Sequence, residues 1–207
     1  MPRDLSKELD RWNTRYAAPG YLFGEAPNHF LGAQGPLLKR GQRALCVADG
    51  EGRNSVWLAE QGLDVTAFDL SPVAIEKARG LAARRQVRVD YQLNDLEGFA
   101  WPAATCDVVA AIFVQFAAPD LRRFMFGRIA AALKPGGILI LTGYTPKQLE
   151  YKTGGPSEIE NLYTEAMLRI ELVGFNIESM DLHDTIVDEG PGHKGMSALI
   201  DVIARRT

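Results

Sequence analysis

From Ala44 to Thr142 the chain alternates short apolar runs with longer amphipathic stretches, and this alternation limits the fold more than any other feature. The runs are Ala44–Ala48, Val65–Phe68, Val87–Leu93, Val108–Phe113 and Ile138–Thr142. Several are apolar on both faces, as strands of a parallel sheet covered on each side must be. Helices are expected between them at about Asn54–Gln61, from Pro72 (capped by Ser71) to about Arg84, and at about Pro119–Leu133. Lys134-Pro135-Gly136-Gly137 stops the last one, since proline cannot continue a helix and glycine permits the left-handed exit.

The flanks complete the pattern. Leu5, Leu9, Trp12 and Tyr16 fall on one stripe of a polar helix, followed by a loop dense in aromatics and turn formers to Asn28, a candidate cap for a short helix. After a polar loop, Tyr144–Ser157, a helix is expected over about Glu158–Leu172. Two strand-like segments near Phe175–Val187 and Ser197–Ala204 follow, split by the turn-rich Gly190–Gly195. The expected architecture is one α/β domain over residues 1–207. Its sheet is doubly wound, mostly parallel and seven-stranded, with an antiparallel C-terminal pair, and residues 1–35 form an N-terminal helical lid.

A chain of 207 residues with 46% apolar and 24% charged residues suits one large globular domain. Its net charge of -3 disfavours a nucleic-acid partner. The charged N-terminus and the lack of a long apolar run disfavour export or a membrane span, so a cytoplasmic protein is expected. Cys46 and Cys106 lie in or beside apolar runs and read as reduced, buried thiols, and no metal cluster is expected.

The first strand ends in Ala48-Asp49-Gly50-Glu51-Gly52-Arg53-Asn54, a tight glycine turn feeding a helix. Such turns let a ligand approach the backbone, and the helix dipole favours an anionic group. Asp69, 17 positions after Gly52, ends the second strand, where an acid accepts both hydroxyls of a ribose. Asp49 and Glu51 would repel the pyrophosphate of NAD or FAD. S-adenosylmethionine has no phosphate and carries a sulfonium and an ammonium, which suit an acidic loop, while Arg53 or the helix start could meet its carboxylate. Asp95 and Leu96, at the exit of the third strand, suit an adenine amino group and ring face; a polar loop is the plain alternative.

Glycine turn, acid after strand two, Asp-Leu after strand three, Leu-Lys-Pro-Gly-Gly and a terminal strand pair together resemble a class I S-adenosylmethionine-dependent methyltransferase. The likeness covers the chain from about residue 40 as a Rossmann-like core. Gly50-Glu51-Gly52-Arg53-Asn54-Ser55 further resembles the tellurite-resistance (TehB-like) and thiopurine methyltransferases. So do Trp12-x-x-Arg15-Tyr16, Tyr21–Asn28, Tyr151–Pro156 and Asp188-Glu189-Gly190, the first two as a lid. The resemblance implies S-adenosylmethionine contacts at Gly50, Gly52, Asp69 and Leu70, and by extension at Asp49, Arg53, Asp95, Leu96, Phe113 and Tyr21. Cys46 and Ala48 depart from it, standing where an acid and a glycine are usual.

Methyl transfer needs alignment and exclusion of water more than a strong base when the acceptor is a soft anion; an oxygen or nitrogen acceptor can need one. The expected acceptor is a small molecule, with a thiol, tellurite or selenite suggested by the resemblance alone. Tyr144, His193 and Gln115 are candidate catalytic residues, and Tyr16, Tyr21, Tyr151 and Glu189 further acceptor-side candidates. A non-enzymatic S-adenosylmethionine sensor on the same fold is the competing reading, and an NAD-dependent oxidoreductase a third. Arg122, Arg123 and Arg128 read as a solvated helix face.

Overall fold

The computed structural model describes residues 5–207; the charged start, residues 1–4, lies outside them. Seven strands form one sheet in the order β3-β2-β1-β4-β5-β7-β6. They are β1 Arg43–Val47, β2 Asp64–Asp69, β3 Asp90–Leu93, β4 Cys106–Ile112, β5 Leu133–Tyr144, β6 Phe175–Asp188 and β7 Lys194–Arg206. The first five run parallel, and β7 pairs antiparallel with both β5 and β6. Helices α1 Leu5–Tyr16 and α2 His29–Ala33 precede the sheet. Helices α3 Arg53–Glu60, α4 Pro72–Arg84 and α5 Pro119–Ala132 connect its parallel strands, while α6 Gln148–Tyr151 and α7 Glu165–Glu171 lie between β5 and β6.

Strand period assigns the two faces of the sheet. Leu45 and Val47 pack with Met125, Phe126 and Ile129 of α5 and Leu168 of α7. Ala44 and Cys46 point the other way, into Val56 and Leu58 of α3, Ile75, Ala78 and Leu81 of α4, and Leu31 of α2. Burying one such leucine or phenylalanine contributes about 2–3 kcal/mol, so each layer is held by many small, similar gains. Cys46 and Cys106 are both buried and free.

Caps fix the helix starts that position the site. Asn28 accepts a hydrogen bond from Leu31 N, and Ser71 accepts one from Ala74 N with Pro72 at the first helical position. Gly52 caps α3 in the left-handed conformation, at φ +91°. A Cβ on Gly52 would sit 2.8 Å from the Ala78 Cβ, so this glycine also sets the close packing of α3 on α4.

Three segments depart from expectation. The expected helix over Glu158–Leu172 is broken: Ile159–Asn161 is a 3₁₀ turn, Leu162 and Tyr163 are buried in extended backbone, and Thr164 caps the shorter α7. Strand β5 begins at Leu133, running through the Lys-Pro-Gly-Gly turn, and β3 is shorter than Val87–Leu93. Arg122 is not a solvated residue. It is buried, paired with Glu171 at 2.7 Å, and donates to Glu160 O, tying α5 to α7.

Candidate functional site

Strand order reverses between β1 and β4, and the strand ends at such a switch point leave a crevice. A cavity of about 440 Å³ opens there. One half is lined by Asp49, Gly50, Asp69, Leu70, Asp95 and Leu96; the other by Phe23, Phe113, Tyr144, Asn161 and His193. Helix α1 supplies the wall between, through Trp12, Arg15 and Tyr16.

Asp69 organises the first half. Its Oδ2 accepts from Gly50 N and its Oδ1 from Ser71 N, each at 2.9 Å, so one carboxylate joins the glycine turn to the start of α4. Asp49 N donates to Phe68 O, and the Asp49 carboxylate accepts from Ser55 Oγ and N. Asp69 is buried and Asp49 half-buried, and neither forms an ion pair with any described residue. Burial pushes each up to about 6, against the pull of these hydrogen bonds. Two desolvated carboxylates without a paired cation favour a positively charged ligand. Asp49 also presses on Cys46, whose thiol is raised first by burial and then by that carboxylate.

Asp95 Oδ1 is held by Glu97 N and Gly98 N, which leaves its second oxygen for the cavity. Leu96 is buried beneath it. Tyr16 stacks on Trp12 at 5.4 Å between centroids, and its hydroxyl lies against Gly50, where a Cβ would be 2.9 Å away.

Other sequence candidates land elsewhere. Gly52 faces α4, not the cavity. Tyr21 lies outside it too, donating to Lys77 O at 2.9 Å, and Tyr151 donates to Asp184 on the surface. Glu51 turns away from any ligand: it is buried, pairs with Lys77 at 2.9 Å and accepts Leu22 N at 2.7 Å. Arg53 lines the cavity, but one of its amino groups is held by Phe23 O and Glu189. Gln115 also lines it, with its amide committed to the backbone: Nε2 donates to Tyr144 O and Asn161 O, and Oε1 accepts Tyr144 N. It straps β4 to β5.

The second half is aromatic. Phe113 holds φ +55°, strained for a bulky residue, and places its ring 4.7 Å from Tyr144 and 4.4 Å from His193. Phe23 covers His193 from the N-terminal segment at 4.4 Å. His193 is held neutral chiefly by burial, which with Arg53 and Arg15 outweighs the opposing pull of Glu189. Its Nδ1 is fully buried, lacks a hydrogen bond and lies 3.6 Å from Glu189 Oε2. Asn161 Oδ1 is buried and unpaired as well. Asn161 escaped the sequence reading because a position inside an expected helix carried no signal for it.

Comparison with known proteins points to methyltransferases. A methyltransferase-domain model matches residues 44–137, the segment that carries the glycine turn, Asp69 and Asp95. Over that segment the chain is similar to methyltransferase domains, and its fold is that of the class I S-adenosylmethionine-dependent methyltransferases. The ubiquinone biosynthesis O-methyltransferase of Coxiella burnetii (strain RSA 493 / Nine Mile phase I) is 33% identical over 103 residues, 50% of this chain and 44% of that one. The chain thus spans less than half the length of that relative. TehB from Haemophilus influenzae shares the fold, with TM-score 0.71 and 14% identity over 97% of this chain and 67% of that one. So does a protein solved for the conversion of a disulfide bond into a thioacetal group during echinomycin biosynthesis. That match has TM-score 0.78 and 20% identity over 96% and 91% of the two chains. The methyltransferase fold explains why the cavity sits at the β1–β4 switch point. The two uncompensated acids fit the family's cationic donor, S-adenosylmethionine.

Proposed function

We propose that this protein catalyses S-adenosylmethionine-dependent methyl transfer to a small protic acceptor. The observation that carries the reading is the pair Asp49, half-buried, and Asp69, buried, carboxylates without a paired cation at a glycine turn, sharing one cavity with an aromatic chamber. S-adenosylmethionine supplies an electrophilic methyl group when bound.

The chain's own residues do the rest. Asp69 is placed to accept ribose hydroxyls, Asp95 and Leu96 to meet the adenine, and Gly50 and Leu70 to line the donor between them. Asp49 neutralises the donor's cationic end, a task that Cys46 cannot perform. Trp12, Tyr16, Phe23, Phe113 and Tyr144 exclude water around the acceptor. His193 is neutral at pH 7 and accepts the acceptor's proton through Nε2. Tyr144 bounds the acceptor chamber, and Gln115 acts through the backbone it straps. The N-terminal segment, residues 5–35, acts as the lid of a single domain.

A hydroxyl acceptor is supported by the neutral histidine and by the partial likeness to an O-methyltransferase. A thiol, tellurite or selenite rests on resemblance to the TehB-like group. Incubation with methyl-labelled donor and a panel of phenols, thiols, tellurite and selenite tests both. Label is expected in a phenol, with at least a tenfold loss in His193→Gln. Equal turnover of thiols or tellurite by wild type and His193→Gln would remove the base from the reading. No turnover with any of them would favour a donor-binding sensor.

A further inference from the structure

The turn between β6 and β7 does more than close a hairpin. We infer that Glu189 is a positioning residue that clamps the N-terminal segment over the cavity and, with the same carboxylate, sets the tautomer and orientation of His193. The inference rests on the reading of His193 as proton acceptor. It makes that base complete only while the lid is down.

Glu189 bridges the two sides, Oε1 wholly on the N-terminal segment and Oε2 shared, since Asn28 Nδ2 also reaches it at 3.5 Å. Oε1 accepts His29 N at 2.8 Å and Asn28 Nδ2 at 3.1 Å, both from the N-terminal segment. Oε2 pairs with Arg53 of α3 at 2.8 Å and faces His193 Nδ1 at 3.6 Å. A movement of about 0.7 Å would turn that last approach into a hydrogen bond. A proton held on Nδ1 leaves Nε2 free to accept one, the arrangement in which a carboxylate orients a histidine base.

The same turn meets the lid backbone to backbone. Gly192 N donates to Leu22 O at 2.7 Å, and a Cβ on Gly190 would come within 2.4 Å of Gly24 N. Phe23 adds its ring to His193. Lifting residues 22–29 would therefore strip the imidazole of its Phe23 cover and strip Oε1 of both donors. Four charged or titratable groups face His193: Glu189 from its own turn, Arg53 from α3, Arg15 from α1 and Tyr144 from β5. Only the carboxylate favours the protonated ring.

Long-range ¹H–¹⁵N spectra of the histidine rings test this on the full chain saturated with S-adenosylhomocysteine. The chain has three histidines, and His193→Gln assigns the signal. Wild type is expected to carry the neutral ring's proton on Nδ1. Glu189→Gln should lower the titration midpoint of His193. Asn28→Ala, which does not touch the ring, should move the His193 midpoint by less and pass part of the neutral ring's proton from Nδ1 to Nε2, and it decides the matter if Glu189→Gln does not fold. A wild-type proton on Nε2, or a His193 midpoint unmoved in these variants, would overturn the inference. Failure of wild type to bind S-adenosylhomocysteine would instead overturn the methyltransferase reading, and the ring signals of the free protein would still decide the role of Glu189.

Discussion

Asp49 shows how a single residue trades stability for binding. Its carboxyl is held near 6 in the folded protein against 3.8 in an ordinary setting, with burial the main cause. A folded value above the unfolded one means that its contribution is fully present below about pH 3.8 and is lost as pH rises through 6. At pH 8 the ionised group therefore costs the ligand-free protein up to about 3 kcal/mol. Asp49→Asn should raise the thermal midpoint at pH 8, with the gain vanishing near pH 4, while weakening S-adenosylmethionine binding at least tenfold. Ser55 Oγ can turn to accept from the new amide, since Tyr91 and Gly52 O lie within 3.2 Å of it. An unchanged midpoint at pH 8 would show that the carboxylate is not strained.

Gly52 carries a different load. Alanine there must hold a left-handed φ and meet Ala78, so Gly52→Ala should cost about 2 kcal/mol or more in chemical denaturation. Asp69 and Gly50 were legible in the sequence because spacing along a strand–turn–helix unit fixes where each ends. The environment of Arg122 was not legible: its partner Glu171 is 49 positions away, and nothing local marks an arginine as buried.

At the scale of elements, the N-terminal segment is held by ions as well as rings. Lys77 on α4 donates to Ala18 O, Gly20 O and Glu51 Oε1, while Glu51 takes Leu22 N. Lys77→Met would leave Glu51 buried without its cation, a loss of about 3 kcal/mol. It should also expose residues 17–24 to protease, and limited digestion with and without S-adenosylmethionine reads that out. Unchanged digestion would mean that the aromatic cluster alone holds the segment. The sequence showed aromatics gathering here but not that Glu51 holds the N-terminal segment, because an acid in a glycine turn looks the same whichever way it points. The broken helix after Ser157 has a similar cause: the apolar positions Leu162 and Tyr163 fit helical spacing, yet Tyr163 N pairs with Tyr144 O in extended backbone.

Across the whole molecule, the sheet order follows from the alternation of strands and helices, and the cavity follows from the order. Among the described residues no helix is long and apolar enough to cross a membrane, and no cluster of His, Cys, Asp or Glu is placed to hold a metal. Aromatic walls around His193 bound the far half of that cavity. The donor is a sharper matter. Calorimetric titration of the full chain with S-adenosylmethionine should show binding in the micromolar range, lost in Asp69→Ala, with no heat from NADH. Binding of NADH with none of S-adenosylmethionine would contradict the account.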